Sequence, residues 1–125
     1  MSYVNKPGKN SAWRKQRATN LLADIILYEK IATSLPTARR LTKLLAKLIG
    51  WAKVNTLHSR RLALRYLVSK KNVEIKEAEE KIKVLPKLFN QLGKRYQDRP
   101  GGYSRIIKSK SRIGDNRPQV ILSLV

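Results

Sequence analysis

The side chains that could carry out catalysis are few in this 125-residue chain. There is one histidine, His58, and there is no cysteine, so a thiol nucleophile, a disulfide framework and Cys-ligated metal sites are excluded. His58 stands beside Arg60 and Arg61, without a nearby carboxylate to orient it as a general base. Neither a phosphate-binding loop ending in Lys-Ser or Lys-Thr nor a Gly-x-Ser-x-Gly motif occurs. We therefore expect no enzyme, no cofactor and no metal site.

The chemistry that is abundant is cationic. The chain has 28 Lys and Arg against 8 Asp and Glu, a net charge of +20, and this repulsion opposes compaction unless an anionic partner neutralises it. Several of the bases stand beside flat side chains, as Arg14 does beside Trp13 and Arg105 does near Tyr103. Aromatic and guanidinium planes stack on unpaired bases, while Lys and Arg neutralise phosphates. Because nearly every predicted element carries bases, the pattern favours a large folded RNA over a duplex-DNA reader.

The charge is unevenly distributed along the chain. Residues 1–73 carry a net +14 and residues 81–125 a net +9, whereas residues 74–80 carry a net −3. A partner that is itself anionic would disfavour this acidic block. We expect the block to face solvent, either turned away from the partner or as a solvated turn without a role.

Apolar periodicity predicts the elements in the first half of the chain. A helix of about 17 residues with Ser11 as its N-cap is followed by a strand over 29–34. Pro36 begins a second helix, with Leu35 extended before it. That helix has an apolar stripe opposite a fully cationic face; the stripe is Ala38, Leu41, Leu44, Leu45, Leu48 and Ala52, and the face is Arg39, Arg40, Lys43, Lys47 and Lys53.

The second half of the chain changes from helical to β-rich patterns. We predict a third helix whose inward residues are Leu57, Leu64, Leu67 and Val68, and a helical segment over 74–84. A further amphipathic stripe, formed by Leu85, Leu88, Phe89, Leu92 and Tyr96, ends at Pro100. Runs over 103–113 and 119–125 predict a hairpin. The expected fold class is α+β, with four or so helices packed beside a small antiparallel sheet of about three strands.

Two ordered motifs near the C-terminus carry a family resemblance. Residues 99–108 read RPGGYSRIIK and residues 112–116 read RIGDN. They are similar to the Gly-Gly-Tyr-Thr-Arg-Ile-Leu-Lys and Arg-x-Gly-Asp signature of the bacterial large-subunit ribosomal protein seventeen family. The chain resembles this family from Ser11 to Val125. It departs at its start, where residues 5–10 are less basic than the usual arm.

This resemblance implies a structural constituent of the large ribosomal subunit that binds and neutralises large-subunit ribosomal RNA near the polypeptide exit tunnel. The partners of the protein would be that RNA and neighbouring ribosomal proteins, and the protein would be located in the cytoplasm. Residues 1–125 would form one RNA-binding domain, with a basic arm at 1–10 and a variable, partly acidic, solvent-facing segment at 70–84. The RNA-facing candidates are Lys6, Lys9, Trp13, Arg14, Lys15, Arg17, Arg39, Arg40, Lys43, Arg60, Arg61, Arg65, Arg99, Tyr103, Arg105, Lys108, Lys110, Arg112 and Arg117.

Other readings of the sequence stay open. A basic architectural protein of the nucleoid would share the same charge, and an RNA-modifying or RNA-cleaving enzyme would have to depend on His58 alone. The first 23 residues carry five bases and no acid, but three of those bases are Lys, so an organellar transit peptide is the weaker interpretation. No apolar run reaches the length of a membrane span, and we expect neither a membrane nor a small-molecule partner.

Overall fold

The first helix contributes buried residues to the core. In the computed structural model, which describes residues 8–67, 75–77, 80–82 and 84–125, α1 spans Ser11–Tyr28. Its N-cap is Asn10, whose Oδ1 accepts a hydrogen bond from the Trp13 backbone N at 2.9 Å. The prediction of Ser11 as the cap is thus wrong by one residue, because the Asn side chain one position earlier satisfies the free N–H group of the first turn.

The second helix follows directly on the first strand. Strand β1 spans Lys30–Ser34 and α2 spans Leu35–Val54. The extended residue before the helix is Ser34, whereas Leu35 is already helical, so the prediction of an extended Leu35 is wrong. Leu35 packs against the core, and this packing outweighs the steric preference of a residue that precedes proline.

The two faces of α2 are largely as predicted. The structure buries every residue of the predicted apolar stripe except Leu44, which is half-buried, and it adds Ile49, which the stripe omitted. On the opposite face four of the five predicted bases are exposed. The fifth, Lys53, is half-buried because its Nζ donates to the Arg99 carbonyl at 2.8 Å. The helix therefore separates an apolar surface from a cationic one.

The inward face of the third helix differs from the prediction. Helix α3 spans Leu57–Leu67, but Leu57 is 65% exposed and Leu64 47% exposed. The buried residues are Ser59 and Ala63, because the Ser59 Oγ accepts from the Thr56 N at 2.9 Å and fixes this face inward from the first turn. Leu67 is half-buried as expected, and the predicted Val68 lies outside the described residues.

The prediction of helix over 74–84 is wrong for the residues described there. Ile75–Glu77 and Glu80–Ile82 form an antiparallel pair of short strands, β2 and β3, with Ile75 opposite Ile82. β-Branched residues at alternate positions, such as Val73 and Ile75, favour strands. Whether the acidic side chains face solvent lies outside what the structure describes.

The last helical segment is continuous but changes its winding. It runs as α4 (Val84–Lys87), a π-helical turn (Leu88–Leu92) and α5 (Gly93–Arg95), ending before the predicted stop at Pro100. The predicted stripe is confirmed, with Leu85 half-buried and the other four residues buried. At Gly93 an added Cβ would lie 2.7 Å from the Ala52 carbonyl oxygen, so only glycine allows this close crossing over α2.

The sheet completes the core at the C-terminus. Strands β4 (Ser104–Lys108) and β5 (Gln119–Leu124) form the predicted hairpin, and the antiparallel order β1-β5-β4 places β5 in the centre. Val120, Leu122 and Leu124 alternate toward the helices and are buried. The α+β fold class with helices beside a three-stranded antiparallel sheet is confirmed. Among the described residues, none of the helices is long and apolar enough to cross a membrane.

Candidate nucleic-acid interface

A basic groove lies where the first turns of α1 and α2 meet. It has a volume of about 400 Å³, and Trp13, Pro36 and Thr37 form part of its wall. Arg117, from the loop between β4 and β5, brings a third part of the chain to the same groove. We call it the N-terminal groove. No acidic residue lines it among the residues that the structure describes, and its five bases are Lys9, Arg14, Arg17, Arg40 and Arg117.

The backbone adds to the positive potential of the N-terminal groove. The first turns of α1 and α2 contain no acidic residue, although a helix N-terminus carries a partial positive charge that favours one. Arg14, Lys15 and Arg17 lie in the first two turns of α1, where cations are unfavourable for helix stability. An anion bound between the two N-termini would interact favourably with both helix dipoles and with the side chains.

Trp13 lies at the surface with two cations close to its ring. It is 38% exposed, with the Lys9 Nζ 5.2 Å and the Arg17 Cζ 5.3 Å from its ring centroid. These are cation–π distances. The side chain is thus a wall of the N-terminal groove rather than a residue of the buried core.

A second groove lies between α1, α2 and α3. It has a volume of about 510 Å³, with Trp51 and Tyr66 among its lining residues and Lys15, Arg40 and Arg65 as its bases. We call it the aromatic groove. Arg40 and Ala18 line both grooves, so the two form one continuous basic surface. Sequence reasoning named the three bases but missed both aromatic residues, although Trp51 lies seven residues after Leu44 and therefore shares the side of α2 on which Leu44 lies.

The remaining candidates are dispersed over the surface. Arg39, Lys43, Arg61, Arg105, Lys108 and Lys110 are exposed and line neither groove, and Lys6 lies outside the described residues. Arg60 donates from Nε and Nη2 to the Asn55 Oδ1 at 3.1 and 2.9 Å. Arg99 donates from Nε to the Gly101 carbonyl at 3.0 Å, and Arg112 pairs with Asp115. The two grooves thus collect only some of the residues named from the sequence.

Tyr103 does not have the exposure that stacking on a base requires. It is 8% exposed, its ring packs edge-on against Tyr96 with centroids 5.3 Å apart, and its hydroxyl accepts from the Lys53 Nζ at 3.2 Å. We withdraw Tyr103 from the RNA-facing candidates, because this packing buries its ring in the core. Tyr96 lies in the core as predicted, and its hydroxyl donates to the Val125 carbonyl at 2.7 Å.

A different cationic cluster lies at the C-terminal end of α1. Glu29 accepts two hydrogen bonds of 2.9 Å from Arg95, and the Lys87 Nζ lies 3.4 Å from its Oε1. Lys87 is 8% exposed and also donates to the Leu27 carbonyl at 2.6 Å. We call these three side chains the Glu29 cluster. The hydrogen bond from Arg95 holds the pKa of Glu29 below its usual value, and the charges of Arg95 and Lys87 act in the same direction.

The acidic side chains and the histidine of the described residues are dispersed. No group of three or more His, Asp or Glu side chains among them could hold a metal ion. His58 is exposed on the first turn of α3. The chemistry that the arrangement can perform is the binding of anions and flat groups.

The fold and its grooves define a class of protein: a small, strongly basic α+β protein with two surface grooves lined by cations. The family model described as Ribosomal protein L17 matches residues 17–125 of this chain. The large ribosomal subunit protein bL17 of Mesoplasma florum is 43% identical over 125 residues, covering all of both chains. The bL17 proteins of Ureaplasma parvum and Mesomycoplasma hyopneumoniae are each 41% identical; the former covers all of both chains, the latter 93% of this chain and 92% of its own.

The chain belongs to the ribosomal protein L17 family, and as a member it is a structural constituent of the ribosome. The resemblance read from the C-terminal motifs is thereby confirmed, as is the prediction of a cytoplasmic ribosomal protein. The family is one of structural ribosomal proteins and not of known enzymes.

Proposed function

We propose that this protein binds and neutralises large-subunit ribosomal RNA near the polypeptide exit tunnel, and that it supports translation as a structural part of the subunit. The observation that carries the proposal is the N-terminal groove, where five bases and two helix N-termini converge without an acidic residue in the described part of the chain. Phosphate is the anion that both charge and backbone N–H groups favour there.

The charge of the whole chain supports an external polyanion as the partner. The ion pairs of the described residues include those of Glu29 with Lys87 and Arg95 and that of Asp115 with Arg112. The full chain has 28 bases and 8 acids, so its own carboxylates leave a surplus of 20 positive charges (28 − 8). RNA phosphates would replace the missing counterions and release bound ions, which makes binding favourable and strongly dependent on salt.

The finer parts of the proposal have different supports. The tunnel-exit location and the contacts with neighbouring ribosomal proteins rest on the family resemblance of residues 99–108 and 112–116. The treatment of residues 1–125 as one RNA-binding domain rests on the shared core of helices and sheet. We assign no catalytic residue, no cofactor and no small-molecule substrate.

The test is retention of the full-length chain on large subunits through a high-salt wash. We compare the wild type with the double variant Arg17→Gln/Arg40→Gln, which removes two bases of the N-terminal groove. The matched control is Lys47→Gln/Lys94→Gln, which removes the same charge from two exposed positions outside both grooves. We expect the wild type and the control to stay bound and the groove variant to be lost several-fold more readily.

Two outcomes would contradict the proposal. One is recovery of the protein only with nucleoid DNA, from which non-specific phosphate binding would release it at about 0.2 M salt. The other is equal loss of the groove variant and its control, which would mean that charge alone matters. A cross-linking map on intact ribosomes tests the location, since adducts far from the tunnel exit would refute that part.

A further inference from the structure

The aromatic groove combines features that phosphate binding alone does not require. Trp51 and Tyr66 lie at its apolar side with their ring centroids 5.5 Å apart and their planes tilted by 48°. Lys15, Arg40 and Arg65 supply its positive charge. We propose that this groove binds one unpaired nucleotide of the RNA, with its base against the two rings and its phosphates against the three bases. This inference rests on the proposed function.

The two rings are already positioned for stacking. Both side chains are half-buried and pack against the core, so little rotamer freedom is lost when a ligand arrives. Their tilt prevents a flat base from stacking on both rings at once. A base would therefore stack on one ring and contact the edge of the other, a combination in which each aromatic pair has a favourable geometry.

The charges around the rings match a nucleotide better than a protein side chain. The three bases come from three different helices, and no acidic residue lines the aromatic groove among the described residues. An extruded nucleotide carries a phosphate on each side of its ribose and so presents two negative charges to these cations. An apolar side chain of a neighbouring protein would fill the floor but leave the cations without counterions.

The dimensions of the groove select the kind of RNA. A volume of about 510 Å³ is within the range of sites that take small organic ligands, roughly 300–1,000 Å³. A base inside an A-form helix has its faces covered by its neighbours, so only an unstacked base can present a face to Trp51 or Tyr66. The proposal therefore concerns a bulge or a loop and not a paired helix.

Tryptophan fluorescence of the full-length chain tests this directly. The chain has two Trp residues, so Trp13→Phe, which keeps an aromatic ring in the wall of the N-terminal groove, leaves Trp51 as the only one. This variant serves only to measure quenching, and affinities are measured on the unaltered chain. The probes are a synthetic RNA hairpin with one bulged adenosine and the same hairpin without the bulge. We expect the bulged hairpin to bind about tenfold more tightly and to quench Trp51, whereas the paired hairpin leaves its emission unchanged. Tenfold is within the range measured for base–aromatic stacking.

A second variant separates stacking from charge. Tyr66→Leu should reduce the tenfold preference to about twofold or less without changing the affinity for the paired hairpin. The matched control is Tyr28→Leu, at an exposed tyrosine outside both grooves, which should leave the preference intact. The circular dichroism spectrum shows whether each variant is folded. The quenching of Trp51 is measured in a chain whose aromatic groove is unaltered, so it tests the proposal even if one of these tyrosine variants does not fold.

The outcomes distinguish this inference from the proposed function. Salt-dependent binding of both hairpins with equal affinity and no quenching would overturn the nucleotide site and leave RNA binding intact. Binding of neither hairpin would contradict the proposed function itself. Stronger quenching by an acidic peptide than by the bulged hairpin would assign the groove to a protein neighbour and would also overturn the proposal.

Discussion

Basic side chains lie at both ends of α1, but their surroundings differ. At its C-terminal end the Glu29 cluster gives Lys87 and Arg95 a counterion inside the protein, and Lys87 is nearly buried. At its N-terminal end the N-terminal groove brings Arg17, Arg40 and Arg117 together without an acidic lining residue in the described part of the chain. A cation with an internal counterion stabilises the fold, whereas one without such a partner is available to an external anion.

This difference explains why charge alone is a poor guide to function in so basic a chain. Lys87 and Arg95 join α4 and α5 to the end of α1, and the Glu29 carbonyl accepts from the Leu124 N of β5 at 2.9 Å. Removing a base here should therefore disturb folding. Removing a base of the N-terminal groove should leave folding unchanged and weaken RNA binding.

The largest expected effect on stability comes from Glu29→Gln. The substitution leaves the charge of buried Lys87 without its counterion, and because Glu29 is one-third exposed we expect a loss of about 2 kcal/mol in the free energy of unfolding, below the range for a fully buried pair. Urea denaturation of the full chain measures it. Arg40→Gln is the control and should change this free energy by less than about 0.5 kcal/mol. Equal losses in the two variants would remove the distinction between the two ends of α1.

The stability lost in Glu29→Gln should depend on pH. Because folding lowers the pKa of Glu29 below its ordinary value of 4.5, the carboxylate contributes stability above that pH and loses it as the pH falls through the folded-state pKa. The difference between wild type and Glu29→Gln should be full at pH 7 and narrow steadily below pH 4.5. Asp115 is present in both proteins, so its contribution to the stability cancels in the difference. A difference that is constant from pH 7 to pH 2 would show that the effect is not electrostatic.

A smaller effect is expected for Tyr103→Phe. The change removes the hydroxyl that accepts from the Lys53 Nζ and keeps the buried ring, so we expect a loss of about 1 kcal/mol in stability. The affinity for ribosomal RNA should stay within twofold of the wild type. A large loss of affinity with unchanged stability would return Tyr103 to the RNA-facing residues.

The smallest effect is expected for Arg112→Gln. Arg112 and Asp115 form an exposed ion pair within one loop, and exposed pairs of this kind contribute little. Thermal unfolding should show no measurable shift in Tm. A shift comparable to that of Glu29→Gln would mean that an internal counterion stabilises the fold wherever it lies, whether exposed or buried.

The sequence predicts what short-range periodicity determines. The apolar stripe of α2, the strand at Lys30–Ser34 and the C-terminal hairpin follow from residues a few positions apart. The inward face of α3 was misassigned because Leu57 and Leu64 are apolar, while the hydrogen bonds between Thr56 and Ser59 orient the helix. Apolar type alone does not reveal such capping bonds.

Contacts between distant residues account for what the sequence could not predict about the site. Glu29 and Arg95 are 66 residues apart and meet only because the fold brings α5 beside the C-terminal end of α1. The aromatic groove needs α1, α2 and α3 in their final arrangement before Trp51 and Tyr66 can meet Lys15. The sequence predicts the bases of both grooves because charge is a property of each residue, but which of them come together in one groove is a property of the fold.

The salt dependence of RNA binding shows whether RNA phosphates are the counterions of the N-terminal groove. We measure the affinity of the full-length chain for large-subunit ribosomal RNA across a range of salt concentrations, for the wild type, Arg17→Gln/Arg40→Gln and Lys47→Gln/Lys94→Gln. If the counterions of the N-terminal groove are RNA phosphates, the slope of log affinity against log salt falls by about two for the groove variant, one for each lost contact. The control slope and the unfolding free energies of all three proteins should stay the same. An unchanged slope for the groove variant, or a loss of its stability as large as that of Glu29→Gln, would contradict the account.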